Sequence, residues 1–144
     1  PVVLFIVVQR SHFLLPPDGL TLALFLASTV LTALLQFLMS YTIALIAFWV
    51  LEVSTLIFIL FAFEYIAGGH LFPIDILPPV LTQALGFTPF PYQLYFPVSI
   101  YLGRVTGDEL WRGLSIQLLW VVALYGLARF VWHRGIRHYA AVGG

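Results

Sequence analysis

Residues 106–132, TGDELWRGLSIQLLWVVALYGLARFVW, contain a predominantly apolar segment that is long enough to cross a lipid bilayer. The hydrocarbon core of a bilayer is about 30 Å thick, so a helix needs about 20 apolar residues to cross it. Asp108 and Glu109 precede the segment and suit the positive end of a helix dipole, and a tryptophan lies near either end. These features predict a transmembrane helix over about 110–132.

The rest of the 144-residue chain is equally apolar, with 62% hydrophobic and only 8% charged residues. Soluble domains are typically about one quarter charged, so this composition predicts an all-α integral membrane protein in contact with lipid. The formal net charge is zero, which argues against a nucleic-acid partner. The absence of cysteine excludes disulfides, thiolate metal sites and cysteine nucleophiles.

Upstream, the run 20–66 contains 47 residues without glycine or proline, which is too long for one span and fits two. The break between them has two candidate positions, Ser40–Thr42 and Phe48–Glu52. We prefer the second, because an acid is less costly at the membrane interface than at mid-bilayer. Spans are therefore predicted at 20–47 and 52–67, and the second of them is short.

The first residues, 1–8, are apolar but too few for a span, and 9–19 is typical of a loop. The start has neither methionine nor a basic leader, so it is not a signal peptide. We expect 1–8 to be the end of a preceding helix and the sequence to be part of a longer chain. The predicted fold is a polytopic membrane helix bundle of three full spans plus that helix end, as one transmembrane domain over 1–144.

Between the second and third full spans, residues 68–105 are rich in proline and glycine yet remain apolar. Irregular backbone at membrane depth is tolerated only inside protein or beside a water-filled cavity. We therefore predict short re-entrant or interfacial helices here. Asp75 is the expected cap of a short helix containing PPVLTQAL, and a second short helix is predicted from about Pro91 to Leu102.

The arginines set the predicted orientation. Arg129, Arg134 and Arg137 cluster after the last span, so the positive-inside rule places that end, including a tail at 133–144, in the cytoplasm. The segment 68–105 is then external. Arg10 is an exception, because it adds a cation to a loop predicted to be external.

Polar residues within the spans leave alternatives open. Glu52 is either an interface anchor or a contact for a cytoplasmic partner, and Glu64 is either an interface anchor or a polar group lining a pathway. For Gln36 and Gln117, hydrogen bonding between helices is favoured over substrate contact. The four histidines are scattered, and no Walker A loop or G-x-S-x-G elbow is present, so we expect no metal site, no bound cofactor and no catalytic residue.

The order of these features resembles the C-terminal half of ABC-2 type permeases, in the subgroup of prokaryotic exporter membrane subunits. One motif of that subgroup, W-x-x-G-x-x-x-Y-x-x-x-G, is present at the end of the chain. Two looser motifs precede it. The matching residues are, in the same order, Trp132, Gly135, Tyr139 and Gly143; Gly68, Gly69 and Pro73; and Pro91, Pro97, Val98, Tyr101 and Gly103.

The resemblance implies a six-span permease in the prokaryotic cytoplasmic membrane with both termini in the cytoplasm, of which the predicted spans are the last three. It implies a homo- or heterodimer of permease chains and a separate ABC ATPase subunit that holds ATP and Mg. It also implies an external gate after the fifth helix and cytoplasmic surfaces coupled to the motor. Gate candidates are Glu64, Gly68, Gly69, Pro73, Asp75 and Pro78. Coupling candidates are Trp49, Glu52, Arg134 and Arg137.

The leading hypothesis is therefore the transmembrane subunit of an ATP-driven exporter, with Gln36 and Gln117 as pathway or interhelical residues. An alternative is a non-transporting scaffold or assembly subunit of a larger membrane complex. A membrane-embedded enzyme is disfavoured, because no nucleophile–base set or paired acids appear. Co-purification with a P-loop ATPase distinguishes the first hypothesis from the second.

Overall fold

The computed structural model of the protein describes residues 18–142 and the side chains of 18–138. Five α-helices and no strand occur in the described range, which confirms the all-α prediction. The helices are α1 (Gly19–Ala44), α2 (Ser54–Ala67), α3 (Pro79–Gly86), α4 (Tyr95–Tyr101) and α5 (Gly107–Val142). The helix end predicted for 1–8, most of the loop predicted over 9–19, and the end of the C-terminal motif lie outside the described residues. Of that loop, Asp18 is the N-cap of α1 and Gly19 is already its first residue.

Two helices in the described chain are long and apolar enough to cross a membrane, over Gly19–Phe48 and Gly107–His138. α5 has 36 residues and is about 54 Å long at 1.5 Å per residue, well beyond the thickness of a hydrocarbon core. The span predicted at 110–132 is thus part of a longer helix. The predicted tail continues that helix as far as Val142.

The break between the first two predicted spans lies at the preferred position. α1 ends at Ala44 and is followed by a 3₁₀ segment, Leu45–Phe48, and α2 begins at Ser54. Glu52 is exposed in the turn between them. α2 is apolar, and its 14 residues cover about 21 Å, which is less than the thickness of a hydrocarbon core.

Two details of the segment 68–105 differ from the prediction. Asp75 does not cap α3, because it lies inside a separate 3₁₀ turn, Ile74–Ile76, and the N-cap position of α3 is Pro78. The helix predicted over 91–102 is divided into a 3₁₀ turn, Phe90–Tyr92, and α4. Pro97 explains the division, since proline is tolerated only in the first turn of a helix, so α4 begins just before it.

α4 packs along α1 and touches α5, and these three helices form the core where α1 and α5 also contact each other directly. The cluster of buried residues comprises Leu35 from α1, Tyr92, Phe96 and Ile100 from the segment before and within α4, and Leu110 from α5. A Cβ built at Gly113 would be 2.1 Å from the ring of Phe96, so only glycine lets α4 approach α5 this closely. Just after the opposite end of α1, Phe48 packs against Gly135 of α5 in the same way, because a Cβ built at Gly135 would be 2.2 Å from the Phe48 ring.

These contacts show that α1 and α5 run parallel and that the chain before α4 enters the bundle. The ring of Tyr101 contacts Phe25 near the start of α1, at 5.1 Å between centroids. Gln93 instead contacts Met39 near the end of α1. The stretch from Phe25 to Met39 corresponds to about 21 Å of helix, so residues 93–101 extend along about half of the 26-residue α1. The second half of the segment 68–105 therefore packs inside the bundle, alongside α1.

Candidate functional site

A neutral polar cluster joins α1, α5 and the chain before α4. Gln117 of α5 is fully buried, and its Nε2 lies 3.0 Å from the carbonyl oxygen of Ser28, 3.1 Å from Oγ1 of Thr32 and 2.9 Å from the carbonyl oxygen of Tyr92. Its Oε1 accepts a hydrogen bond of 2.9 Å from the Ser28 hydroxyl. Thr32 in turn donates to the Tyr92 carbonyl at 3.1 Å. The cluster therefore pairs its buried polar groups with one another and fixes the three elements together.

A second polar cluster lies between α1, α2 and residue 93, and it contains an acid. Nε2 of Gln36 donates to Oε2 of Glu64 at 3.1 Å. One helical turn further along α1, the sulfur of Met39 accepts from Nε2 of Gln93 at 3.2 Å. Glu64 and Gln93 are 7% and 5% exposed, and Oε1 of Gln93 has no hydrogen-bond donor. Unlike the first cluster, this one is incomplete.

The gate candidates that follow Glu64 form a tight turn at the end of α2. The backbone N–H of Gly68 donates to the Glu64 carbonyl at 2.7 Å. Gly69 has φ +85°, a conformation that favours glycine, and a Cβ built there would be 3.4 Å from Tyr95. Ile74 lies equally near, at 3.5 Å from the same position. The 3₁₀ turn therefore folds back onto the end of α2 and the start of α4.

The remaining gate candidates lie on the surface of this segment. Asp75 accepts a hydrogen bond from the hydroxyl of Tyr95 and forms an exposed ion pair with Arg104 at 3.7 Å. Pro73 and Pro78 are exposed, and each immediately precedes a short helical turn. Their fixed φ angles, −57° and −53°, end one element and start the next.

The coupling candidates lie at the other end of the bundle and are only partly brought together. Trp49 and Arg134 line a surface groove of about 540 Å³, together with Ile46, Phe130, Val131 and His138. The ring of Trp49 is 6.0 Å from that of His138, and the Arg134 guanidinium is 5.3 Å from the ring centroid of Phe130. Glu52 accepts a hydrogen bond from the Ser54 hydroxyl. Arg137 is exposed on the same end of α5.

The structure also identifies residues that the sequence did not single out. Ser28 and Thr32 are one helical turn apart within an apolar helix, and that spacing was a usable signal of a shared polar contact. Gln93 carried no comparable signal within its aromatic surroundings. Among the residues that the structure describes, no three His, Asp or Glu side chains are grouped as metal ligands would be.

Comparison with known proteins gives one positive result. A protein family described as "ABC-2 family transporter protein" matches residues 2–143. No significant match was found among curated proteins or among solved structures. The family match extends over nearly the whole sequence and agrees with the long apolar helices of the fold. The chain therefore belongs to the ABC-2 family of transporter proteins.

Proposed function

We propose that this transmembrane protein is the permease subunit of an ATP-driven exporter in a prokaryotic cytoplasmic membrane. The observation that carries the proposal is the family match over residues 2–143. The fold supports it, because α4 and the chain before it bring polar groups between α1 and α5, where a transport pathway needs them.

In this proposal the chain itself carries no catalytic residue and binds no cofactor. ATP and Mg are held by a separate ABC ATPase subunit, and a second permease chain, identical or related, completes the transporter. ATP binding moves the permease only if the motor contacts its inward- and outward-facing states with different free energies. The permease therefore needs a surface that the motor can contact and an element that changes position.

The end of the bundle that contains Trp49 and Arg134 is the proposed motor-facing surface. α5 is about 54 Å long and a hydrocarbon core is about 30 Å thick, so α5 extends beyond the membrane by several turns. Its contact with Phe48 aligns those turns with the turn that precedes α2. The arginines at 129, 134 and 137 support a cytoplasmic location for this end, because cytoplasmic ends of spans carry an excess of cations.

The external gate is proposed to be the turn at Gly68 and Gly69 with the short helices that follow. α2 is short and contacts its neighbours less extensively than α1 and α5 contact each other, so it is the element best placed to move. Gly69 supplies the left-handed backbone conformation at the point where α2 would pivot.

Co-purification tests the proposed function. The full-length protein, tagged and isolated from its native membrane, is expected to co-purify with a P-loop ATPase. The purified complex is expected to show vanadate-sensitive ATP hydrolysis. Arg134→Glu combined with Arg137→Glu is expected to reduce the amount of recovered ATPase at least several-fold. Arg104→Glu changes an arginine at the other end of the bundle and is the matched control, which should leave the recovery unchanged. Association only with a complex that lacks an ATPase would support the scaffold alternative instead.

Cysteine labelling tests the proposed topology separately. Cysteines introduced as His70→Cys and Pro89→Cys are expected to react with an impermeant maleimide added outside intact cells. Gly143→Cys is expected to react only after the cytoplasmic side is opened. The reverse pattern would contradict both the orientation and the assignment of the motor-facing end.

A further inference from the structure

Glu64 is a buried acid without a cationic partner. Its side chain lies within an apolar helix and is 7% exposed, and among the described side chains no arginine is within ion-pair distance of it. Its one side-chain hydrogen bond comes from the neutral amide of Gln36. A lone carboxylate is among the most costly groups to bury in an apolar environment, and a single amide does not offset that cost.

Gln93 presents the complementary defect, a buried acceptor without a donor. Its Nε2 is used on the sulfur of Met39, a weak acceptor, and its Oε1 has no partner. Buried carbonyl oxygens are nearly always paired, so an unpaired one that is 95% buried indicates a missing donor.

The two defects lie in the same place. Gln36 and Met39 are three residues apart and therefore neighbours on one face of α1. Glu64 binds the first of them and Gln93 binds the second. α2 also contacts the 3₁₀ turn that ends one residue before Gln93.

We propose that Glu64 is a proton-binding site in which the carboxyl group holds a proton and donates its O–H to Oε1 of Gln93. One proton from water adds to the carboxylate, and no other covalent bond forms or breaks. The added proton removes the unpaired charge and supplies the missing donor, and it requires no additional volume. The other carboxyl oxygen continues to accept from Gln36. This proposal does not depend on the proposed ATPase partner.

The groups that surround Glu64 are few. From α1 it meets the neutral amide of Gln36, and the titratable residue of the 3₁₀ turn is Tyr92, whose hydroxyl donates to the Gly86 carbonyl. Beyond the end of α2, exposed His70 lies against Gly68 and stacks on Tyr65.

The consequence concerns the position of α2. While the proton is present, Glu64 links α2 to both α1 and the re-entrant segment. When the proton leaves, the carboxylate faces a carbonyl oxygen with no donor between them, and the two repel. Proton release therefore favours separation of α2 from residue 93, and movement of α2 conversely changes the affinity of Glu64 for the proton.

Infrared difference spectroscopy of the purified full-length protein in lipid nanodiscs tests the site. At neutral pH we expect a carbonyl band of a protonated carboxylic acid that shifts in D₂O and is absent in Glu64→Gln. Glu52→Gln, which changes an exposed acid at the opposite end of α2, is the matched control and should retain the band. Gln93→Leu should move the band to higher frequency, because the O–H loses its acceptor.

Three results would overturn the proposal. They are the absence of such a band at neutral pH, its persistence in Glu64→Gln, and an unchanged frequency in Gln93→Leu. If Glu64→Gln does not fold, Gln93→Leu still decides the question, because it leaves the acid in place. Size-exclusion profiles of every variant establish that the spectra compare folded proteins.

Discussion

The two buried polar clusters on α1 differ in composition and in completeness. The first centres on Gln117, contains only neutral groups, and makes four hydrogen bonds between that side chain and three other residues. The second centres on Glu64, contains an acid, and leaves Oε1 of Gln93 without a donor. Ser28 of the first cluster and Gln36 of the second lie about two turns apart along α1.

The difference separates a group that holds the bundle from a group that can change state. A fully paired neutral cluster has nothing to gain from rearrangement, and every contact it makes favours one packing. An acid with an incomplete shell has two chemical forms that favour different surroundings. The first cluster connects the long parallel helices α1 and α5 and also binds the Tyr92 carbonyl, whereas the second connects α1 to short α2 and to Gln93.

The largest expected effect is on stability, from Gln117→Leu. The leucine removes all four hydrogen bonds and leaves the Ser28 hydroxyl buried without its acceptor. We expect a loss of about 2–3 kcal/mol in the free energy of unfolding, measured by thermal unfolding in detergent or by steric trapping in bicelles. Gln83→Leu changes an exposed glutamine in α3 and is the matched control. Equal stability of the two variants would show that the cluster does not hold the bundle.

The next effect comes from Gly113→Ala, which tests the packing around the neutral cluster without changing a polar group. The new Cβ would lie 2.1 Å from the Phe96 ring, so α4 or the ring must shift. Overpacking of this kind costs about 1–3 kcal/mol, and the same unfolding assay measures it. Gly126→Ala, in the same helix, is the control: a Cβ added there has no neighbour within 4 Å, so the change should be neutral or slightly stabilising. Equal free energies of unfolding for Gly113→Ala and Gly126→Ala would contradict the close approach of α4 to α5.

A smaller effect is expected from Gly69→Ala, beside the acidic cluster. Gly69 has φ +85°, and alanine in the left-handed region costs about 1–2 kcal/mol. Because the strain falls at the proposed pivot of α2, we expect transport to decrease more than the thermal midpoint does. Gly86→Ala, with no neighbour within 4 Å of its added Cβ, is the control. Unchanged transport in the folded variant would remove this turn from the gate.

The sequence predicted the parts of the fold that composition and chain length determine. The apolar run over 106–132 could only be buried in lipid as a helix, and the break near Glu52 followed from the cost of an acid in the hydrocarbon core. The broken structure of 68–105 followed from its prolines. All of these are local properties of the chain, and the structure shows each of them.

Tertiary contacts account for what the sequence did not predict. Asp75 has the features of a helix cap, but the Tyr95 hydroxyl, 20 residues away, engages it in a separate turn. Gln93 lies in an aromatic-rich stretch, and nothing in its neighbours indicated that it would reach Met39. The pairing of Gln36 with Glu64 likewise depends on the packing of α2 against α1, which no periodic pattern specifies.

The smallest expected loss of stability comes from breaking the ion pair between Arg104 and Asp75. Exposed polar contacts of this kind contribute little to holding the fold together. The two side chains are 60% and 54% exposed and 3.7 Å apart, so solvent screens their attraction. We expect Arg104→Gln to lower stability by no more than about 0.5 kcal/mol and the loss to shrink further in high salt. Asp75→Asn also weakens the acceptor for the Tyr95 hydroxyl, so it should cost more than Arg104→Gln in the same unfolding assay. A larger loss for Arg104→Gln than for Gln117→Leu would invert the comparison and show that the exposed ion pair of segment 68–105, rather than the buried neutral cluster, holds α4 in place.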